Sequence, residues 1–138
     1  MGRILAVDLG TKRVGLAVTD PLQIVVSPLE TIPYRSRQQL VERLTRLVCD
    51  RDVETVVIGL PLGTDGREGE GCRRSRNVAR DLEAGGIRTV LWDERLSTRR
   101  AEEILRAAGT SRKHVPRRLD RVAAAVILRE YLEQGGDS

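Results

Sequence analysis

The stretch whose reading decides the fold is Arg3-Ile-Leu-Ala-Val-Asp-Leu-Gly-Thr-Lys-Arg-Val-Gly-Leu-Ala-Val-Thr-Asp20. Two aliphatic runs, Ile4–Val7 and Val14–Val18, flank a short polar turn, the pattern of a β-hairpin. Each run is nearly unbroken, which marks strands covered on both faces and therefore central in a sheet. Asp8 stands where the first run ends, beside the turn Leu9-Gly10-Thr11-Lys12, so a carboxylate opens onto the loop side of a rigid strand. Gly10 and Gly15 permit unusual backbone angles or the close approach of another backbone or a phosphate. Asp and Gly also serve plain turn chemistry, and on this stretch alone both readings stand.

Outward from the hairpin, Ser27–Tyr34 carries Pro28 and Pro33 and suits a short third strand at a sheet edge. Arg37–Asp50 places Leu40, Leu44, Leu47 and Val48 at helical spacing. Thr55–Gly59 is a β-branched run that empties into a loop at 60–71 rich in Gly and charge. A helix is expected from about Cys72 to Ala84, closed by Gly85-Gly86, and then a strand Arg88–Trp92 ending in Asp93-Glu94-Arg95. Ser97 or Thr98 caps a further helix to Ala108, and Pro116 opens a last one to about Glu133. The order predicts one α/β domain over 1–134 with a frayed 135–138: a five-stranded mixed sheet, antiparallel hairpin plus parallel strands, with helices on both faces.

The chain of 138 residues is long enough to bury a core, and its 32% charged residues are ordinary for a globular protein. No apolar run reaches a membrane span and Met1 leads straight into a strand, so a cytoplasmic protein is expected. Net charge is +4, but Arg95–Arg121 alone holds nine basic residues against three acidic ones, so a basic face is expected rather than a uniformly basic protein. All cations but Lys12 and Lys113 are Arg, whose planar fork suits phosphates, although a GC-rich genome produces the same bias. Cys49 and Cys72 lack metal-ligand spacing and His114 is the one histidine, which argues against zinc chemistry and a Ser-His-Asp hydrolase. Cys72, beside Arg73, Arg74 and Arg76 at an expected helix start, reads either as an incidental surface thiol or as a reactive dimer contact.

Three acids stand at element ends: Asp8, Glu94 and Asp120. Asp120 shares the stripe Ala123, Ala124, Ile127, Leu128, Tyr131, the face of the last helix that packs inward, and the two alanines let that helix approach the sheet. Carboxylates gathered in a partly buried site need a cation, and Mg²⁺ takes such oxygen ligands together with a substrate phosphate. Two ions about 4 Å apart would clamp an in-line phosphodiester displacement. The competing reading is three unrelated acids: a turn Asp, a Glu near a cap and an Asp favoured by a helix dipole.

Four pieces in order resemble the YqgF/RuvX family of the RNase H-like superfamily, over nearly the full chain. They are Asp8-Leu-Gly-Thr-Lys-Arg-Val-Gly15; Gly59-Leu-Pro-Leu62 with Asp65-Gly66; Asp93-Glu-Arg-Leu-Ser-Thr98; and Asp120-Arg-Val-Ala-Ala124 with Ile127-Leu-Arg-Glu-Tyr-Leu132. The resemblance implies an RNase H-like fold and a Mg²⁺- or Mn²⁺-dependent nuclease whose catalytic, metal-holding triad falls on Asp8, Glu94 and Asp120. Its members are described as Holliday-junction-resolvase-like or as processing the 5′ end of small-subunit rRNA precursor. One departure is Gly63, where the family usually has Asn. Nucleic-acid contacts are expected from Lys12, Arg95, Arg99, Arg100, Arg112, Lys113, Arg117 and Arg118. With no Phe and only Tyr34, Trp92 and Tyr131 as aromatics, base stacking has little to work with, so recognition should rest on backbone and shape. A two-fold junction further implies a homodimer, at least when bound.

Two rivals come from other classes. Asp-Leu-Gly-Thr before a basic residue also resembles the first phosphate loop of actin-like ATPases and sugar kinases, but those need a second such domain, for which this chain has neither the length nor the motif. A noncatalytic nucleic-acid-binding module would keep the arginines yet has no need of Asp8, Glu94 and Asp120 together.

Overall fold

The computed structural model describes residues 2–61, 67–93 and 115–134, the last without the side chains of 115–122. The hairpin forms as β1 (Arg3–Leu9) and β2 (Arg13–Thr19), paired antiparallel with Asp8 opposite Gly15. Two short strands, β3 (Val26–Pro28) and β4 (Ile32–Pro33), both pair antiparallel with β2. Helix α1 (Arg37–Asp50) crosses to β5 (Val53–Leu60), parallel to β1, and α2 (Glu70–Ala84) crosses to β6 (Thr89–Asp93), parallel to β5. The last helix, α3, spans Val115–Glu133. Sheet order is β3-β2-β1-β5-β6 with β4 beside β2, so β1 is central.

The single third strand expected over Ser27–Tyr34 is thus two pieces, making six strands rather than five. Ala17 faces Pro28 while Val14 faces Ile32, so three residue steps on β2 are matched by four on the edge. The extra residue is a bulge, which the edge position and its prolines tolerate. Helix α2 starts at Glu70, two residues before the expected Cys72, which shortens the preceding loop. The expected helix to Ala108 lies outside the described residues.

Strand alternation divides the sheet into two unlike faces. Leu5, Val7, Leu9, Val14, Leu16, Val18, Val56 and Ile58 pack with Leu40 and Leu44 of α1 and with Val78, Ala79 and Leu82 of α2. On the opposite face, Ile4, Ala6, Ala17 and Val57 meet Ala124, Ile127, Leu128 and Tyr131 of α3. Ala6 and Ala17 are direct cross-strand partners, so α3 rests on a floor of methyl groups and comes close to β1 and β2. At its C-terminal end α3 is tied to β6 by Trp92 and Tyr131, whose rings meet edge to face at 5.9 Å.

A larger side chain has no room between these alanines. Ala124→Leu is expected to cost about 1–3 kcal/mol by overpacking. Urea unfolding checks it, and an unchanged midpoint would contradict the close approach.

Candidate active site

The C-terminal ends of the parallel strands β1, β5 and β6 lie at one edge of the sheet, the side on which open α/β sheets place their sites. Asp8 is the last residue of β1 but one. Alternation puts it with Ile4 and Ala6 on the α3 face, half-buried. Its partner on β2 is Gly15, and on β5 the step after the pair Val7–Ile58 is Gly59. Asp8 is thus flanked on both neighbouring strands by glycine.

Asp120 lies within α3, one helical turn before the buried Ala123 and Ala124. Because α3 begins at Val115 and has no acid in its first turn, Asp120 is placed in the second turn rather than opening the helix. A helix-dipole role for it loses its basis, since that effect fades beyond the first turn. Glu94 follows Asp93, the end of β6, and lies outside the described residues. Arg95, Arg99, Arg100, Arg112 and Lys113 also lie outside them, and of Arg117 and Arg118 the structure describes only their place in the first turn of α3. Among the described residues, to which Glu94 and the Asp120 side chain do not belong, no three metal-ligating side chains converge.

Lys12 sits exposed in the hairpin turn, and that turn is clamped. The Gly10 N–H donates to Arg13 O at 2.9 Å, and a Cβ at Gly10 would come 2.6 Å from that oxygen, so the turn requires glycine there. The Tyr34 N–H donates to Lys12 O at 2.9 Å. From α2, Arg74 Nη2 donates to Gly10 O at 3.0 Å while its guanidinium lies 4.4 Å from the centre of the Tyr34 ring. Arg74 is a residue that sequence reasoning missed, and no spacing pattern reaches across the 64 positions separating it from Gly10. Below the described end of the central loop, Glu68 and Arg76 form a two-pronged ion pair, which holds the Glu68 carboxyl below its ordinary range. At its other end, Pro61 lies so near α2 that a Cβ at Gly71 would meet it at 2.9 Å.

Cys72 overturns both sequence readings of it. It is 0% exposed on the inward face of α2, whereas Cys49 is the exposed cysteine. A thiol without accessible surface makes no dimer contact while the helix stays folded. All three aromatic residues are engaged internally: Trp92 with Tyr131, and Tyr34 under Arg74.

Arg74→Ala removes both the bond to the turn and the cation–π contact. It is expected to lower stability by about 1–2 kcal/mol and to speed amide exchange in residues 10–13. Arg74→Lys should recover only part, because an ammonium cannot stack and bond in the same plane. Wild-type exchange in Arg74→Ala would remove the clamp.

Residues 2–134 match the model of the family described as RuvX, Holliday junction resolvase. A protein of Syntrophus aciditrophicus, named "Putative pre-16S rRNA nuclease", is 42% identical over 132 residues, covering 95% of this chain and 88% of that one. RuvC of T. thermophilus in complex with a Holliday junction substrate superposes with a TM-score of 0.59 at 13% identity, covering 98% of this chain and 97% of that one. The fowlpox virus resolvase with Holliday junction DNA gives 0.57 at 11% identity, with 96% and 97% covered.

Proposed function

The chain belongs to the RuvX family of Holliday junction resolvases and is a nuclease with the RNase H-like fold, and from that premise we propose a divalent-metal-dependent hydrolase acting on structured nucleic acid. The observation that carries this reading is the place of Asp8: a half-buried carboxylate near the end of the central strand, on the face covered by α3, with a glycine beside it on each neighbouring strand. Its oxygen donors suit a hard cation, which takes a substrate phosphate as a further oxygen ligand. Asp8, Glu94 and Asp120 would hold Mg²⁺ or Mn²⁺. Glu94 has the sequence parity of Val90 and Trp92, which pack on the α3 face, and Asp120 shares the helix face of Ala123 and Ala124. The chemistry such ions would supply there is activation of water and stabilisation of the leaving oxygen.

The chain's own groups do the rest. The clamped hairpin turn fixes Asp8 and presents Lys12 to a phosphate next to the scissile one. Arg95, Arg99, Arg100, Arg112, Lys113, Arg117 and Arg118 would neutralise phosphates on either side. With its aromatics used internally, the protein would read backbone and shape rather than bases.

Precursor small-subunit rRNA is the substrate favoured, because relatives at about 40% identity carry that name. Four-way DNA is the second reading, supported by the family description. An assembly of two copies would let symmetric strands be cut together.

A cleavage panel tests this: precursor rRNA, four-way DNA junctions, linear duplex and single strands, with Mg²⁺, Mn²⁺ or EDTA. Cleavage is expected to require the metal. Asp8→Asn, Glu94→Gln and Asp120→Asn should each reduce it by more than about 100-fold with circular dichroism unchanged. Full activity of pure Asp8→Asn would end the assignment. Separately, Arg112→Ala with Arg117→Ala should weaken binding alike for all sequences and flatten its salt dependence by about two phosphate contacts. A sharp base preference that survives this change would contradict recognition by backbone.

A further inference from the structure

Residues 34–49 hold four arginines, Arg35, Arg37, Arg43 and Arg46, against Glu42 alone, a second basic segment besides 95–121. Arg37 turns to α2, where its guanidinium pairs with Asp81 at 3.0 Å. Arg35 and Arg43 stand exposed, and neither has an ion-pair partner among the described residues. Both line a hollow of about 300 Å³, together with Gln39 and with Ile32, Pro33 and Leu40 as its apolar lining. No acid lines it, so the concavity keeps an uncompensated positive potential. Its apolar lining suits the aliphatic stems of two arginines whose charged ends reach outward.

The hollow is joined directly to the hairpin turn. Strand β4 is antiparallel to β2 and so runs as β1 does, with Pro33 opposite Arg13. The next residue, Tyr34, donates its N–H to Lys12 O at 2.9 Å. Arg35 therefore leaves the sheet at the edge where β1 ends, just after the residue that holds the turn. By strand spacing and rise, Pro33 lies about 12 Å from Asp8. On the other side, Ser36 Oγ accepts the Gln39 N–H at 3.2 Å and caps α1, so Arg35 sits between two anchored neighbours. Arg43 follows Gln39 by one helical turn, about 6 Å along the axis. Lys12, Arg35 and Arg43 thus form a row that starts beside the acidic site and leads away along α1. The other end of β2 is unlike it, for the 20–25 turn there exposes Leu22, Ile24 and Val25.

We propose that this hollow is a phosphate subsite, in which Arg35, Gln39 and Arg43 take the phosphodiester backbone of the bound nucleic acid several nucleotides from the bond that is cut. Two guanidinium forks and a neutral amide are donors suited to phosphate oxygens, and they read no base. The hollow opens on the α1 side of the sheet, whereas the acids belong to the α3 side. A strand in both must pass over the Lys12 turn, so the subsite grips flanking substrate and takes no part in the chemistry. The proposal rests on the nuclease reading for the identity of its ligand.

Fluorescence anisotropy in EDTA, where metal-dependent cleavage is stopped, tests it across a salt series with a precursor rRNA fragment and a four-way DNA junction as probes. Arg35→Ala with Arg43→Ala should weaken binding about tenfold and lower the slope of log affinity against log salt by about two. R35K/R43K keeps both charges and should keep the slope. Arg51→Ala with Arg129→Ala removes the same charge from the far end of α1 and from α3, and should leave affinity within about twofold of wild type. With Mg²⁺ restored, R35A/R43A should raise KM for the probe that is cut and leave kcat unchanged. Thermal melts establish that each variant folds. A loss confined to one probe supports the subsite and assigns it to RNA or to DNA. Wild-type affinity in folded R35A/R43A, or an equal loss in R51A/R129A, overturns the subsite while the nuclease reading stands. A wild-type protein that neither binds nor cuts either probe overturns the nuclease reading, and the subsite falls with it.

Discussion

The closeness of α3 to the sheet is the constraint on which the rest depends, and it is set by methyl groups. Ala6 and Ala17 face each other across the central hairpin, and Ala124 packs with them while Ala123 beside it is buried. Larger side chains at these places would lift the helix from the sheet. The Trp92–Tyr131 contact holds the far end of the same helix against β6, the strand that leads into Glu94. The seat of α3 on the sheet is thus governed by contacts that contain no charge.

The two faces of the sheet divide the work. Toward α1 and α2 the core is built of Leu, Val and Ile, whose burial supplies most of the hydrophobic stabilisation. Toward α3 the side chains shrink to alanine and, next to Asp8, to glycine. That face buries less area per residue and lets α3 come close to the sheet. The clamp of Arg74 and Tyr34 on the hairpin turn links the two, because α2 belongs to the large-residue face and the turn borders the small-residue one.

Polar groups follow the same economy. The buried Thr19 hydroxyl accepts the Ile4 N–H at 2.9 Å, and Thr55 accepts from Arg88 at 2.8 Å, so strand interiors keep few unsatisfied groups. At the rim, Asp20 spends its carboxylate on three backbone amides, which holds its pKa below the ordinary value. Its stabilising effect is present above that ordinary value and is lost as pH falls through the lower, folded one. The turn that displays Leu22, Ile24 and Val25 is therefore firm at neutral pH.

By itself the sequence determined what depends on neighbours along the chain. The hairpin was legible because both of its runs are aliphatic, and the buried face of α3 because its residues recur at helical spacing. The burial of Cys72 was legible in the same way: with Ser75, Val78, Ala79 and Leu82 it forms one helix face, a signal outweighed by the arginines beside it. Tertiary structure alone decided what depends on distant segments. It split the edge strand with a bulge, since pairing with β2 and not local propensity sets that register. It brought Arg74 to Gly10 and left the 20–25 turn uncovered. Periodicity is written in the order of residues, but which surfaces meet is fixed only when helices and strands compete for the same partners in a close-packed interior.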